Sequence, residues 1–249
     1  MRHPTVTVLV LAMLAACGQD DPAPAPPADT SSAPSGFPRA PTPAEPDLAA
    51  CPKAEDPEVR IRTGPVPVPA PFAAIAVSSM DHFAFTTLAG NTICVDTTWI
   101  ESADDAELSD DGRFASFNWI GYEAFGHVIV YRTGDGQVID TGNAPHRSPD
   151  GRRLAAIDLS ESGFGSLNAF AVWDIEPVGL RQAAEITEGF PTGDWRIEGW
   201  QGERCVRLSL VPIDRYPEDH RDMERTPRDP WFAAQSAGWK PAAGSCPRS

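Results

Sequence analysis

The chain has 249 residues, 41% of them hydrophobic and 22% charged, which suits a folded domain with a core rather than a disordered chain. Its 20 Lys and Arg stand against 35 Asp and Glu, a formal charge of −15. That balance argues against nucleic acid as a partner, because phosphates repel an acidic surface, and against a surface held to anionic lipid by basic residues.

Arg2 is followed by an apolar stretch, Thr5 to Leu14, too short for the ~20 residues of a transmembrane helix. Size and flanks fit a secretory signal peptide, residues 1–16. The run closes on Leu14-Ala15-Ala16-Cys17. This sequence resembles the lipobox of bacterial lipoproteins, in which the cysteine is acylated and the peptide is cut before it. The resemblance implies that Cys17 is the lipidation site and that the membrane partner is reached through its acyl chains. Gly18 rather than Asp follows, which in that family favours the outer membrane, with the domain facing the periplasm. Leu48-Ala49-Ala50-Cys51 repeats the four letters without an apolar run before it and reads as coincidence.

Residues 17–50 form the anchor and a Pro-rich tether. Gln19 to Ala50 holds nine prolines and almost no large apolar side chains, so it cannot bury enough surface to order itself. Besides Cys17 there are four cysteines, Cys51, Cys94, Cys205 and Cys246. An even count in an exported chain predicts two disulfides. Three pairings are open; Cys51–Cys94 and Cys205–Cys246 are favoured, each stapling a terminal segment to a nearby strand.

Residues 51–214 read as the β-domain. Ser109-Asp110-Asp111-Gly112 and Ser148-Pro149-Asp150-Gly151 recur 39 residues apart, inside the ~40–45 period of propeller blades. Asp and Ser bond nearby backbone, and Gly supplies the positive φ of the turn. Strands are predicted after each turn, at Phe114–Ile120 and Leu154–Leu159, then at His127–Tyr131 and Ala169–Asp174, then near Val138–Ile139 and Leu180–Ile186. The motif resembles the WD-repeat-like blades of TolB-type β-propellers, where such a turn opens a blade. The resemblance covers about residues 105–188 and implies an all-β fold: a small or incomplete propeller-like stack of about four antiparallel blades. A β-sandwich is the alternative that regular short strands also allow. Trp195–Trp200 and Cys205–Val211 read as the inner strands of a further blade without the opening turn. Residues 215–249 are polar and Pro-rich and are expected to be an irregular tail packed on the β-domain.

No nucleophile, P-loop or metal-helix motif is present, so no catalytic residue, metal or cofactor is expected. The calcium-loop spacing fails at Asp110–Gly112 and Asp150–Gly151, and turn chemistry accounts for those residues. The histidines are read as decorating strands and turns. If the blades align, the hairpins at Gly121–Gly126, Glu161–Gly165 and Gly199–Gly202 share a face. Tyr122, Glu123, Phe125, Glu161, Phe164 and Trp200 are therefore the candidate binding residues, since exposed aromatics mark binding surfaces. The opposing reading is that the aromatics plug the space between blades. The expected role is a non-catalytic periplasmic binding or scaffold module with an envelope protein as partner. A hydrolase using Glu123, Glu161 or nearby aspartates is the first alternative, and a small-ligand or glycan receptor the second.

Overall fold

A computed structural model describes residues 45–53, 62–159 and 165–248. They belong to one compact unit that begins at Thr42. Cys17 and the lipobox, most of the tether, Glu161 and Phe164 lie outside the described residues.

The unit is all-β, with four separate antiparallel sheets and no pairing between them along the sheet order. The first holds β1 (Ala76–Ser78), β2 (His82–Thr86) and β3 (Thr92–Asp96). The second holds β4 (Ser102–Leu108), β5 (Phe114–Gly121), β6 (Ala124–Tyr131) and β7 (Gln137–Asp140). The third holds β8 (His146–Arg147), β9 (Arg153–Asp158), β10 (Ala169–Glu176) and β11 (Gly179–Ile186). The fourth holds β12 (Gly193–Gln201), β13 (Cys205–Pro212), β14 (Asp229–Ala234) and β15 (Pro241–Ala243). Each sheet is a meander in chain order, the pattern of a propeller blade, and four such sheets exclude the two-layer sandwich.

Alternation along the inner strands explains the stacking. A strand points successive side chains to opposite faces. In β9 and β10, Leu154, Ala156, Ala171 and Trp173 pack with Ile129 and Tyr131 of blade 2. The intervening Ala155, Ile157, Phe170 and Val172 pack with Trp195, Ile197, Val206, Leu208 and Leu210 of blade 4. Blade 1 meets blade 2 through Phe83, Phe85 and Val95 against Phe117, Val128 and Val130. Phe72 enters the same interface, edge-on to Phe85 at 5.3 Å and to Phe117 at 6.2 Å. Each fully buried ring of this kind contributes about 2–3 kcal/mol. Among the described residues no cluster joins blade 4 to blade 1, so the stack is open.

The faces left over at the two ends are covered by terminal segments. Cys94 pairs across the sheet with Ala84, on the face of blade 1 turned away from blade 2. There it is bonded to Cys51, with Cα atoms 5.6 Å apart. Cys205 lies on the face of blade 4 turned away from blade 3, packed with Phe232 and Ala234. It is bonded to Cys246, with Cα atoms 6.1 Å apart. Both favoured pairings are therefore present, and each lies across an end face.

The repeated turns are alike in detail. Ser109 Oγ accepts the Phe114 N–H at 3.0 Å and donates to Asp111 at 2.8 Å. Ser148 Oγ accepts the Arg153 N–H at 2.9 Å and donates to Asp150 at 2.6 Å. Gly112 and Gly151 carry φ of 67° and 70°. These turns join the first and second strands of their blades instead of opening the blade. The first strands escape the pattern because β4 is acidic and mostly exposed and β8 has two residues. The stretch 215–249 is also corrected: it supplies β14 and β15, the outer strands of blade 4. Pro230, the second residue of β14, and Pro241, which opens the edge strand β15, hid them.

Candidate functional site

The antiparallel meander gives each blade two ends. One end carries the β5–β6 hairpin, the β9–β10 loop and the end of β7. The other carries the Ser109 and Ser148 turns. In blade 4 the β12–β13 hairpin joins the first two strands, so it lies at the second end. Its Trp200 N–H donates to the His146 carbonyl at 2.9 Å, and its Glu203 carbonyl accepts from Arg153 at 2.8 Å, both beside the Ser148 turn. The expectation that the three hairpins share a face is thus corrected. Trp200 is half-buried, edge-on to Trp239 at 5.9 Å, and acts as a plug. By sequence alone β12 and β13 count as the second and third strands of their blade, because prolines and polar residues mask β14 and β15.

Tyr122, Glu123 and Phe125 stay together at the first end. Gly121 and Ala124 close the hairpin, and Glu123 adopts φ 56° in its turn, with its side chain exposed. Phe125 lies directly across the ladder from Ile120, on the same face. The Trp99 carbonyl packs against Gly121, where a Cβ would come within 2.1 Å of it. Trp99, Ile120, Tyr122 and Phe125 are 53%, 48%, 66% and 47% exposed. Large apolar side chains are ordinarily buried; Ile120 and Phe125 on one face, with Tyr122 at the tip, make a patch of the kind that marks an interaction site, and the Trp99 carbonyl lies against the opposite face.

Beside this patch lie two carboxyls that the sequence reading passed over. Gly165 pairs in parallel with Phe125 and brings Ser166 to the β7 end. The Ser166 hydroxyl donates to Asp140, whose carboxyl also accepts the Gly142 N–H and faces the Trp119 indole. Asp158, 4% exposed at the end of β9, accepts the N–H groups of Leu167 and Ser166. Gly142 and Gly165 allow this approach: a Cβ on either would lie 2.3 Å from Asp158. Desolvation raises the pKa of both carboxyls, and the Asp158 charge raises Asp140 further. The arrangement sets two carboxyls of raised pKa against the Ser166 segment, one on its hydroxyl and one on its backbone. The described residues contain no group of three or more His, Cys, Asp or Glu side chains fit for a metal. In the sequence Asp140 and Asp158 only close apolar runs, as surface residues do, and carry no motif.

His127 lies on a strand, β6, as expected, and is buried there, 4% exposed. The Asn118 amide N–H donates to Asp105 at 2.9 Å, which turns its carbonyl oxygen toward His127 Nδ1 at 2.7 Å. This network assigns the proton to Nδ1 and leaves Nε2 as an acceptor, buried and unpartnered. Burial pushes the imidazole pKa down to about 4, so the ring is neutral at physiological pH. It borders a cleft of about 250 Å³ between blades 2 and 3, lined also by Glu107, Ser116, Ile129 and Leu154.

No protein-family model matches the chain, and no curated protein matches it in sequence. Among solved structures it is similar to the β-propeller domain of the Trilobed protease from Pyrococcus furiosus, described as having an open velcro topology. The identity is 16% and the TM-score 0.31, over 59% of this chain and 43% of that one. It is also similar to the isopeptidase AtxE2 in its apo form, at 18% identity and TM-score 0.30, over 59% of this chain and 30% of that one. The chain thus spans less than half the length of either. The expectation that it is not an enzyme is corrected at this point. That expectation rested on the absence of a catalytic motif, and the two similar structures are named as a domain of a protease and as an isopeptidase.

Proposed function

We propose that the chain is an exported, lipid-anchored binding module that presents the β5–β6 hairpin of blade 2 to an envelope protein. The observation that carries this reading is the exposure of Trp99, Ile120, Tyr122 and Phe125 around one hairpin. Aromatic anchors supply most of the energy in protein interfaces. The lipobox-like Leu14-Ala15-Ala16-Cys17 supports an outer-membrane anchor with the domain facing the periplasm. Two disulfides support an oxidising compartment. The test is crosslinking in intact cells with the full chain. A partner captured by the wild type and lost from Tyr122→Ala/Phe125→Ala, with the melting temperature unchanged, supports the reading. Identical capture by both proteins ends it.

A second reading, a hydrolase, is favoured by the Asp140–Ser166–Asp158 arrangement. Carboxyls with raised pKa values beside an interaction patch suit general acid–base chemistry. A survey of peptide and glycoside substrates with wild type and Asp140→Asn tests it. Turnover by the wild type alone supports hydrolysis, and equal rates dismiss it.

A further inference from the structure

We propose that the opposite end of the stack holds a separate binding site for a small hydroxylated polyanion, a sugar or cyclitol bearing phosphate or carboxylate groups. The site is a cleft of about 570 Å³ between the β12–β13 hairpin, the start of β9 and the segment after β14. Arg153, Arg204 and Arg248 line it with Gln201, Gln235 and Ser236, and no carboxylate is among its described lining residues. In a chain with 35 acidic and 20 basic residues, two arginines without an ion pair among the described residues, Arg204 and Arg248, beside an Arg153 paired with Asp174, give this cleft a local charge opposite to that of the whole molecule.

The three cations differ in how they are held. Arg153 is fixed by Asp174 at 2.7 Å and the Glu203 carbonyl at 2.8 Å, and lies over the Trp239 ring at 5.7 Å. Arg204 and Arg248 make no ion pair among the described residues and are exposed. The Cys205–Cys246 bond holds the segment carrying Pro247 and Arg248 against the hairpin, where Gln201 donates to the Pro247 carbonyl at 3.4 Å. The disulfide-held hairpin and segment thus present two exposed guanidinium groups with which the described residues form no ion pair. Guanidinium forks match phosphate and carboxylate oxygens in pairs. The Gln235 oxygen accepts from Arg153 at 3.4 Å, which leaves its amide N–H groups to donate; the Gln201 oxygen and the Ser236 hydroxyl remain to accept, as sugar hydroxyls require. The volume lies in the ~300–1,000 Å³ range of small-molecule sites and exceeds what one phosphate fills.

The test is calorimetric titration of the full chain in detergent micelles with inositol 1,4-bisphosphate, with inositol and pyrophosphate as controls. Saturable binding of the bisphosphate is expected, with none of inositol and weaker binding of pyrophosphate. Arg204→Ala/Arg248→Ala, which alters only exposed side chains, should weaken binding by at least about tenfold while leaving the melting curve unchanged. Equal affinity in the variant, or no saturable binding by the wild type, overturns the site. Pyrophosphate binding as tightly as the bisphosphate overturns its recognition of hydroxyls. Mixed micelles carrying phosphatidylinositol 4-phosphate separate the sources. Displacement of the soluble probe assigns the ligand to a lipid headgroup, and unchanged binding assigns it to a free molecule.

Discussion

Asp140 and His127 titrate in opposite senses, and each makes a signed prediction. The folded pKa of Asp140 is raised by desolvation. The folded state therefore holds its proton more tightly, and the stability this gives at low pH is lost as pH rises through the folded pKa. Asp140→Asn keeps an acceptor for Ser166 and removes the charge. It should raise the melting temperature at pH 7 by the equivalent of less than about 1 kcal/mol, since the residue sits at an exposed edge, and the gain should fade in acid. An equal gain at pH 3 and pH 7 would refute the electrostatic cause. His127 runs the other way, its pKa lowered from 6.5 to about 4. The unfolded chain binds the extra proton between those values, so stability falls by about 2–3 kcal/mol as pH drops through that window. His127→Gln should flatten that part of the stability–pH curve in denaturant titrations.

At the scale of single elements, the two aromatic hairpins part company. The β5–β6 hairpin displays its apolar side chains, so Tyr122→Ala should change unfolding free energy by less than about 0.5 kcal/mol. The β12–β13 hairpin turns Trp200 onto Trp239 and the His146 carbonyl, so Trp200→Ala should cost about 2–3 kcal/mol. Urea unfolding of the two variants compares them directly, and equal costs would contradict the placement. The Ser-x-Asp-Gly turns were legible because their chemistry is local. Asp111, accepting the Arg113 N–H and the Ser109 hydroxyl, has its pKa lowered to about 2 by groups within four residues of it. The hairpin assignment in blade 4 was not legible in that way. It depends on which strands flank β13, and β14 shows only Trp231, Phe232 and two alanines between prolines and polar residues.

For the molecule as a whole, an open stack must finish its two end faces. Closed propellers bury them against each other; this chain lays its own terminal segments across them and holds each with a disulfide. Stacked modules with uncapped ends expose apolar surface and fray from those ends. Reduction should therefore cost about 2–4 kcal/mol per bond and loosen blades 1 and 4 first. Hydrogen exchange measured by mass spectrometry after reduction should show protection lost from β3 and β13–β15 while β6, β9 and β10 stay protected. Simultaneous loss across all four blades would contradict the end-cap role.

The sequence by itself determined the β class, the blade period, the turn chemistry and the even count of cysteines; it favoured one pairing, which the structure then settled. The first three follow from residues near one another in the chain or from a period-2 pattern of burial, and the favoured pairing joins each terminal segment to the nearest strand. Only the tertiary structure decided which hairpins share an end, that Trp200 is a plug, and that Asp140, Ser166 and Asp158 meet. It alone gathered Arg153, Arg204 and Arg248 around one cleft. Such groupings join residues from different blades, and no local propensity encodes the distance between them. Hydrophobic faces stack the blades, and the stacking then sets which polar side chains become neighbours.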